Sequence, residues 1–128
     1  MRLLLDTHAL LWWLLDDPRL TRHARAEIAA PTNDVFVSSV SAMELATKYR
    51  IGKLPEAAMI SGRFVERIAL ERFQPLPIGL AHADAAGLLA IPHRDPFDRF
   101  LIAQAIVDDM ELVSNEERFD AWGVRRLW

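Results

Sequence analysis

The sequence predicts an α/β protein, a three-layer α/β/α sandwich with a central parallel sheet. The main observation is that short apolar runs alternate with longer stretches that begin with helix-start signals. Helices between strands allow those strands to pair in parallel and cover both faces of the sheet, so the alternation favours three layers. A length of 128 residues and a hydrophobic content of 52% suit one core. We therefore expect a single domain spanning residues 1–128.

The first half of the chain predicts two strands, each followed by a helix. The first strand ends at Asp6, whose side chain can cap the helix that follows. Ser41 and Glu44 have the spacing of a capping box, which predicts a helix start after the second strand. The predicted elements are a strand over residues 2–5, helices over 8–15 and 21–30, a strand over 35–38 and a helix from 41 to about 50.

The second half predicts further alternation of helices and short strands. Prolines in the run 73–78 place that strand at or near an edge of the sheet, because proline has no N–H to donate. Asp95 followed by Pro96 is typical of a helix start. The predicted elements are a helix over 55–72, the strand over 73–78, helices over 81–90 and 95–107, and strands over 111–114 and 124–128.

Composition and charge argue against several classes of protein. The formal net charge of -3 argues against nucleic-acid binding through a broad basic surface, so any such contact must be local. The absence of cysteine excludes disulfides and thiolate zinc sites, and it suits the cytoplasm, where we expect the protein. The longest uninterrupted apolar run, 9–15, is far short of the roughly 20 residues needed to cross a membrane. We therefore expect no membrane partner.

Four acidic residues lie close to the ends of predicted strands or the starts of helices. Asp6 directly follows the first strand, Glu44 lies in the first turns after the second, and Asp98 opens a helix. Glu116 follows the strand that ends at Ser114. In an open parallel sheet, ligands bind beyond the carboxyl ends of the strands. We therefore expect these four side chains at the same edge of the sheet.

Four carboxylates in one crevice would raise one another's pKa, and a divalent cation would relieve the repulsion. Oxygen ligands without cysteine or paired histidines favour Mg²⁺ or Mn²⁺, which keep several waters and bind substrate phosphate. Phosphodiester hydrolysis is the natural chemistry of such a site, because the ion lowers the pKa of an attacking water and stabilises the leaving oxygen.

Each acid also has a purely structural explanation. Asp6 can cap the first helix, Glu44 can complete the capping box, and Asp98 can interact favourably with the helix dipole. Glu116 adjoins Glu117, and an exposed acidic turn is ordinary. Spacing alone leaves both explanations open for all four residues.

Four strings of residues, in this order along the chain, carry a resemblance to a known family. They are LLDTHALLW at 4–12, VSSVSAMELA at 37–46 with Lys48 and GKL at 52–54, HRDPFDRFLIAQA at 93–105, and LVSNE at 112–116 with Phe119. Through these strings the whole chain resembles the PIN-domain ribonucleases, and specifically the VapC-like toxins of bacterial toxin–antitoxin pairs.

The resemblance implies a PIN-like parallel sheet, Mg²⁺- or Mn²⁺-dependent cleavage of RNA, a homodimer, and inhibition by a cognate VapB-like antitoxin. It also implies that Asp6, Glu44, Asp98 and Glu116 are the catalytic and metal-binding residues. Glu116 departs from the pattern, because the family more often has aspartate there.

Histidines near the acids are not assigned a role. His8, His82 and His93 each stand alone, and a single histidine is more often packed or solvated than a metal ligand. Asp95 is expected to be the N-cap that orients the helix carrying Asp98, with a smaller chance of contacting the metal.

Four basic residues near Glu44 or Asp98 could contact the RNA backbone, and a solvated helix face explains them equally well. They are Lys48, Arg50, Lys53 and Arg99.

The first helix is apolar on every face, because residues 9–15 include no polar side chain. Such a helix is normally buried in a large core or against a partner. This predicts that either Trp12 or Trp13 is exposed in the isolated protomer and forms part of a protein interface. The alternative is that helices of the same chain cover it.

Two other functions remain open at this stage. A Mg²⁺-dependent phosphatase could use Asp6 as a nucleophile, but the usual second aspartate two residues later is absent, since that position is His8. A non-catalytic interaction module could keep the same fold, because fold does not fix function. Retention of Asp6, Glu44 and Asp98 counts against the module.

Overall fold

Five parallel strands form the centre of the protein in a computed structural model, which describes residues 1–128. Their order across the sheet is β3-β2-β1-β4-β5, and every pairing of neighbours is parallel. The strands are β1 (Arg2–Leu5), β2 (Asp34–Ser38), β3 (Gln74–Leu76), β4 (Glu111–Val113) and β5 (Arg126–Leu127).

Six α-helices and two short 3₁₀ helices connect the strands. No helix combines the length and the apolar character that a membrane crossing requires. The α-helices are α1 (Thr7–Leu14), α2 (Arg22–Ala29), α3 (Ser39–Arg50), α4 (Phe64–Leu70), α5 (Leu80–Leu88) and α6 (Pro96–Val107), and the 3₁₀ helices cover Pro55–Met59 and Glu117–Trp122.

Each face of the sheet is buried under its own apolar cluster. Successive residues of β1 point to opposite faces, so Leu3 and Leu5 join one cluster while Leu4 joins the other. The first cluster includes apolar side chains of α1 and α2, and the second includes those of α6. The predicted three-layer α/β/α sandwich with a parallel sheet is confirmed.

The order of the strands creates a crevice above the carboxyl ends of β1 and β4. The chain runs from β1 outward through β2 to β3, and then returns to place β4 on the other side of β1. Connections that leave β1 in opposite directions open a gap between the loops at this point, which is where open α/β sheets bind ligands. Asp6 follows β1 and Ser114 follows β4, so both lie at this crevice.

The predicted edge position of β3 is confirmed, because β3 pairs only with β2. The predicted helix over 55–72 is wrong. The chain instead forms the first 3₁₀ helix, turns at Gly62 with a φ of 83°, and then starts α4. A left-handed backbone conformation cannot continue an α-helix, and glycine adopts it without steric cost.

The predicted capping box of Ser41 and Glu44 is also wrong. Helix α3 starts directly after β2, and its N-cap is Ser38, whose hydroxyl accepts a hydrogen bond from the Val40 amide at 3.0 Å. Ser41 therefore lies inside the first turn, and its hydroxyl is 3.1 Å from that of Thr7 on α1. The last strand is shorter than the predicted span of 124–128, since only Arg126 and Leu127 pair with β4.

The apolar surface of α1 is covered by the chain itself, so the expected exposed tryptophan is absent. Trp12 is only 6% exposed and packs against Trp128. Trp13 is half-buried, packs against Phe73, and donates its indole N–H to Glu71 at 3.0 Å. The segments that follow α4 supply this cover, which the periodicity of α1 could not reveal.

Burial of Trp12 predicts a large loss of stability when its side chain is truncated. Trp12→Ala should lower the free energy of unfolding by about 3–5 kcal/mol, as expected for removal of a large aromatic side chain from a core. Val65→Ala is the control, because Val65 is 76% exposed on α4 and should change stability by less than about 0.5 kcal/mol. Urea denaturation of both variants tests this, and equal stabilities would place Trp12 outside the core.

Candidate active site

Asp6 is held at the crevice by the turn from β1 into α1. Its backbone N–H donates to the Val113 carbonyl at 3.0 Å, which ties it to β4. Its side chain is the N-cap of α1, with Oδ1 accepting from the Ala9 amide at 2.7 Å. The residue is buried. Asp6 therefore caps a helix, as expected from its structural explanation, and also presents a carboxylate to the crevice.

Burial raises the pKa of Asp6 from 3.8 to about 6. The hydroxyl of Ser114, the Ala9 amide and the charge of His8 act in the opposite direction, and the negative charge of Asp98 adds to the increase. Burial therefore outweighs the neighbouring groups that favour ionisation of this carboxylate.

Glu44 lies in the second turn of α3 and is 4% exposed. Its Oε2 accepts from the Lys48 ammonium at 2.6 Å, one helical turn further along. Its Oε1 is buried and has no hydrogen-bond partner. A buried carboxylate oxygen without a partner is energetically unfavourable, so its presence in the fold requires an explanation.

Asp98 lies in the first turn of α6, and its carboxylate is partly exposed. Its Oδ2 lies 2.7 Å from Nε2 of His93. Burial raises the pKa of Asp98, the hydrogen bond from His93 lowers it, and the charges of Asp95 and Glu44 raise it further. The charge of Asp98 in turn raises the pKa of Asp6, so Asp98 interacts electrostatically with both other predicted site residues.

Glu116 differs from the other three acids, because its partly exposed carboxylate is fully paired with a guanidinium. Both of its oxygens accept from the guanidinium of Arg118, at 2.9 and 3.0 Å. This hydrogen-bonded pairing holds the pKa of Glu116 below its usual range, and the charge of His93 contributes. The structure therefore leaves Glu116 satisfied by a neighbouring cation, whereas the charge of Asp98 acts on Asp6 and that of Glu44 acts on Asp98.

The donor set at the crevice fits a divalent cation. Asp6 and Asp98 have raised pKa values despite their partners, and Glu44 has one oxygen without a partner, so none of the three carboxylates is fully satisfied by the groups around it. A hard cation with oxygen ligands would supply that charge, as Mg²⁺ and Mn²⁺ do in carboxylate sites.

Sequence reasoning left His93 unassigned, yet it is the direct partner of Asp98. One ligand atom each of His93, Asp95 and Asp98 lie within 4.8 Å of one another. Asp95 is the N-cap of α6, as predicted, and accepts from the Phe97 amide at 2.9 Å. The available signal was the position of His93 two residues before an N-cap, where the chain can fold back over the first helical turn.

Two of the four basic residues expected near RNA have partners within the protein. Lys48 pairs with Glu44, and Arg99 points its guanidinium at the loop between α5 and α6 rather than at solvent. Arg50 and Lys53 are exposed. The closest acceptors of Arg99 are the backbone carbonyls of Ala86, Leu89 and His93, at 2.8–2.9 Å.

The raised pKa of Asp6 predicts a pH-dependent gain in stability when its charge is removed from the metal-free protein. The folded state binds the Asp6 proton more tightly than the unfolded chain, so wild-type stability falls as pH rises from about 4 to about 6. Asp6→Asn keeps an N-cap side chain. In EDTA it should exceed wild-type stability at pH 7.5 by on the order of 2–3 kcal/mol, and this gap should disappear toward pH 4.

Thermal and urea denaturation across this pH range measure the gap. Asp84→Asn is the matched control, because it removes the same charge from an exposed position on α5. The same gain in the control, or no gain in Asp6→Asn, would contradict the electrostatic explanation.

The fold is similar to those of solved toxin–antitoxin complexes. The VapBC2 complex of Rickettsia felis, bound to a DNA fragment from its promoter, matches with a TM-score of 0.73 and 18% identity, over 99% of this chain and 98% of that one. VapBC-1 of nontypeable Haemophilus influenzae matches with a TM-score of 0.68 and 15% identity, over 99% of this chain and 97% of that one. A toxin–antitoxin complex from Klebsiella pneumoniae matches with a TM-score of 0.64 and 21% identity, over 98% of this chain and 95% of that one. These identities establish the shared fold.

Sequence comparison identifies the family. No curated protein matches the chain. The family model of the PIN domain matches residues 3–124, which is nearly the whole chain. PIN domains are typically nucleases that use divalent metal ions, so the match assigns the chain at a coarse level to the hydrolases. The chain belongs to the PIN domain family.

Proposed function

We propose that the protein is a Mg²⁺- or Mn²⁺-dependent endoribonuclease and the toxin of a toxin–antitoxin pair, built as one domain over residues 1–128. The observation that carries the proposal is the unpartnered, buried Oε1 of Glu44, a residue whose charge raises the pKa of Asp98. A fold under selection for stability alone has no reason to retain such an oxygen, whereas a nuclease that binds a cation does.

Asp6, Glu44 and Asp98 would hold the metal, with a contribution from Glu116. When bound, the ion supplies a water of lowered pKa and stabilises negative charge on the phosphodiester. The chain keeps these ligands in position through local contacts. The Ala9 amide fixes Asp6, Lys48 fixes one oxygen of Glu44, and the start of α6 fixes Asp98.

The proposed partners are a VapB-like antitoxin and a second copy of the chain. The relatives in fold are described as VapBC or toxin–antitoxin complexes, which supports an antitoxin partner. The surface also offers apolar side chains that a partner could cover. The most exposed of these are Met43, Val65, Leu70, Leu80 and Leu88, on α3, α4 and α5.

Removal of any one proposed ligand should nearly abolish RNA cleavage. Asp6→Asn, Glu44→Gln and Asp98→Asn should each lower kcat/KM by about 100-fold or more, equivalent to about 2.7 kcal/mol of lost transition-state stabilisation. Cleavage should require Mg²⁺ or Mn²⁺ and stop in EDTA. Cleavage of a fluorescent RNA measures these effects, with Asp84→Asn as the charge-matched control.

Two outcomes would favour the other candidate functions. Release of inorganic phosphate from a monoester, without cleavage of RNA, would indicate a phosphatase. Failure to bind Mn²⁺ and to cleave RNA would indicate a non-catalytic interaction module. Full RNA cleavage by a folded Asp6→Asn variant would contradict the proposed mechanism.

Glu116 should contribute less than the other three acids, because it is exposed and already paired with Arg118. Glu116→Gln should slow cleavage by about three- to tenfold, a loss of about 0.7–1.4 kcal/mol. Glu117→Gln should be close to neutral, since Glu117 is exposed at the start of the 3₁₀ helix. Rates of the two variants, measured side by side at saturating Mn²⁺, test the assignment, and a larger loss in Glu117→Gln would reverse it.

A further inference from the structure

We propose that His93 is a positioning residue that orients the Asp98 carboxylate, an inference that rests on the proposed metal-dependent nuclease function. His93 lies in the loop between α5 and α6, and its Nε2 is 2.7 Å from Oδ2 of Asp98. An ionised carboxylate can only accept, so the imidazole N–H donates. This hydrogen bond occupies one oxygen of Asp98 and restricts rotation of the carboxylate, which leaves the other oxygen directed for a ligand role.

The His93 ring is itself fixed by aromatic neighbours. Its centroid lies 5.3 Å from that of Trp122 and 6.1 Å from that of Phe119, and these two rings contact each other. Both aromatic residues belong to the 3₁₀ helix Glu117–Trp122, which follows β4. The imidazole therefore connects the segment after β4 to the first turn of α6.

The backbone of the loop is fixed from the other side by Arg99. Its guanidinium donates to the His93 carbonyl at 2.9 Å and to two carbonyls at the end of α5. Arg99 directly follows Asp98 in α6. The first turn of this helix therefore carries both the carboxylate and the guanidinium that holds the backbone of His93, the hydrogen-bond donor to that carboxylate. This arrangement sets the His93–Asp98 distance without contact between Arg99 and the carboxylate.

A positioning role makes the N–H donor the important feature of His93, because hydrogen bonds that orient metal ligands typically change affinity or activity by about 10–100-fold. Three substitutions separate the donor from the packing. His93→Gln keeps an N–H near the position of Nε2, His93→Met has similar length without a donor, and His93→Phe keeps an aromatic ring without a donor.

We expect His93→Gln to keep the Kd for Mn²⁺ within about threefold of wild type, and His93→Met and His93→Phe to weaken it by about tenfold or more. The same two variants should lower kcat for RNA cleavage while KM for RNA stays unchanged. Calorimetric titration with Mn²⁺ gives the affinities independently of activity. Thermal melting checks folding, and failure of both donor-free variants to fold would make His93 a structural residue and overturn the inference.

Direct metal ligation by His93 is distinguished through Asp95. Asp95→Asn keeps the N-cap of α6 and removes only a nearby charge, so the positioning role predicts a smaller loss of affinity for Mn²⁺ than in His93→Met. If His93, Asp95 and Asp98 formed a metal site together, Asp95→Asn would weaken Mn²⁺ binding as much as His93→Met, and the positioning role would be wrong. Wild-type affinity in His93→Met, or equal losses in folded His93→Gln and His93→Met, would also overturn it.

The result for the wild-type protein separates the two proposals. A wild-type protein that neither binds Mn²⁺ nor cleaves RNA would overturn the proposed function and this inference together. If the wild-type protein binds Mn²⁺ and cleaves RNA, and the His93→Met variant does both equally well, only the role of His93 would be overturned.

Discussion

Burial of carboxylates at the end of a parallel sheet is the constraint around which the site is built. Parallel pairing of β1 with both β2 and β4 directs the loops after these strands to the same edge, and burial removes the water that would screen charges there. The raised pKa values of Asp6 and Asp98 result mainly from this burial, and the charges of neighbouring acids add to the increase. The sheet core is apolar and well covered on both faces, and this stability can support an unfavourable cluster at its edge.

The acids of the site are stabilised to different extents by local partners. Glu116 has a bidentate partner in Arg118 and needs no other, whereas Glu44 has a single ammonium on one of its two oxygens. Asp98 has only a histidine. The deeper carboxylates therefore accept fewer hydrogen bonds from basic side chains than Glu116 does, which is the reverse of what stability alone would favour. This gradient is typical of a functional site, where unsatisfied charge is retained for a ligand.

The loop between α5 and α6 shows how a basic side chain can serve a site without contacting it. Arg99 was expected to contact either RNA or solvent, but its donors are directed to backbone carbonyls of this loop. A guanidinium suits the task because its planar fork offers several donors in fixed directions. Formal charge near an acid therefore says little about substrate binding until the partners of each cation are known.

The sequence by itself determined the parallel α/β architecture, the edge position of the strand with prolines, and the N-cap roles of Asp6 and Asp95, because periodicity and capping depend on residues a few positions apart. Only the tertiary structure decided that α3 begins directly after β2, that Trp12 is buried by its own chain, and that His93 contacts Asp98 while Glu116 contacts Arg118. The burial of Trp12 depends on how separate segments pack against one another. The partners of His93 and Glu116 lie only two to five residues away, but the chain can turn in several directions over that span, and the surrounding fold selects one of them.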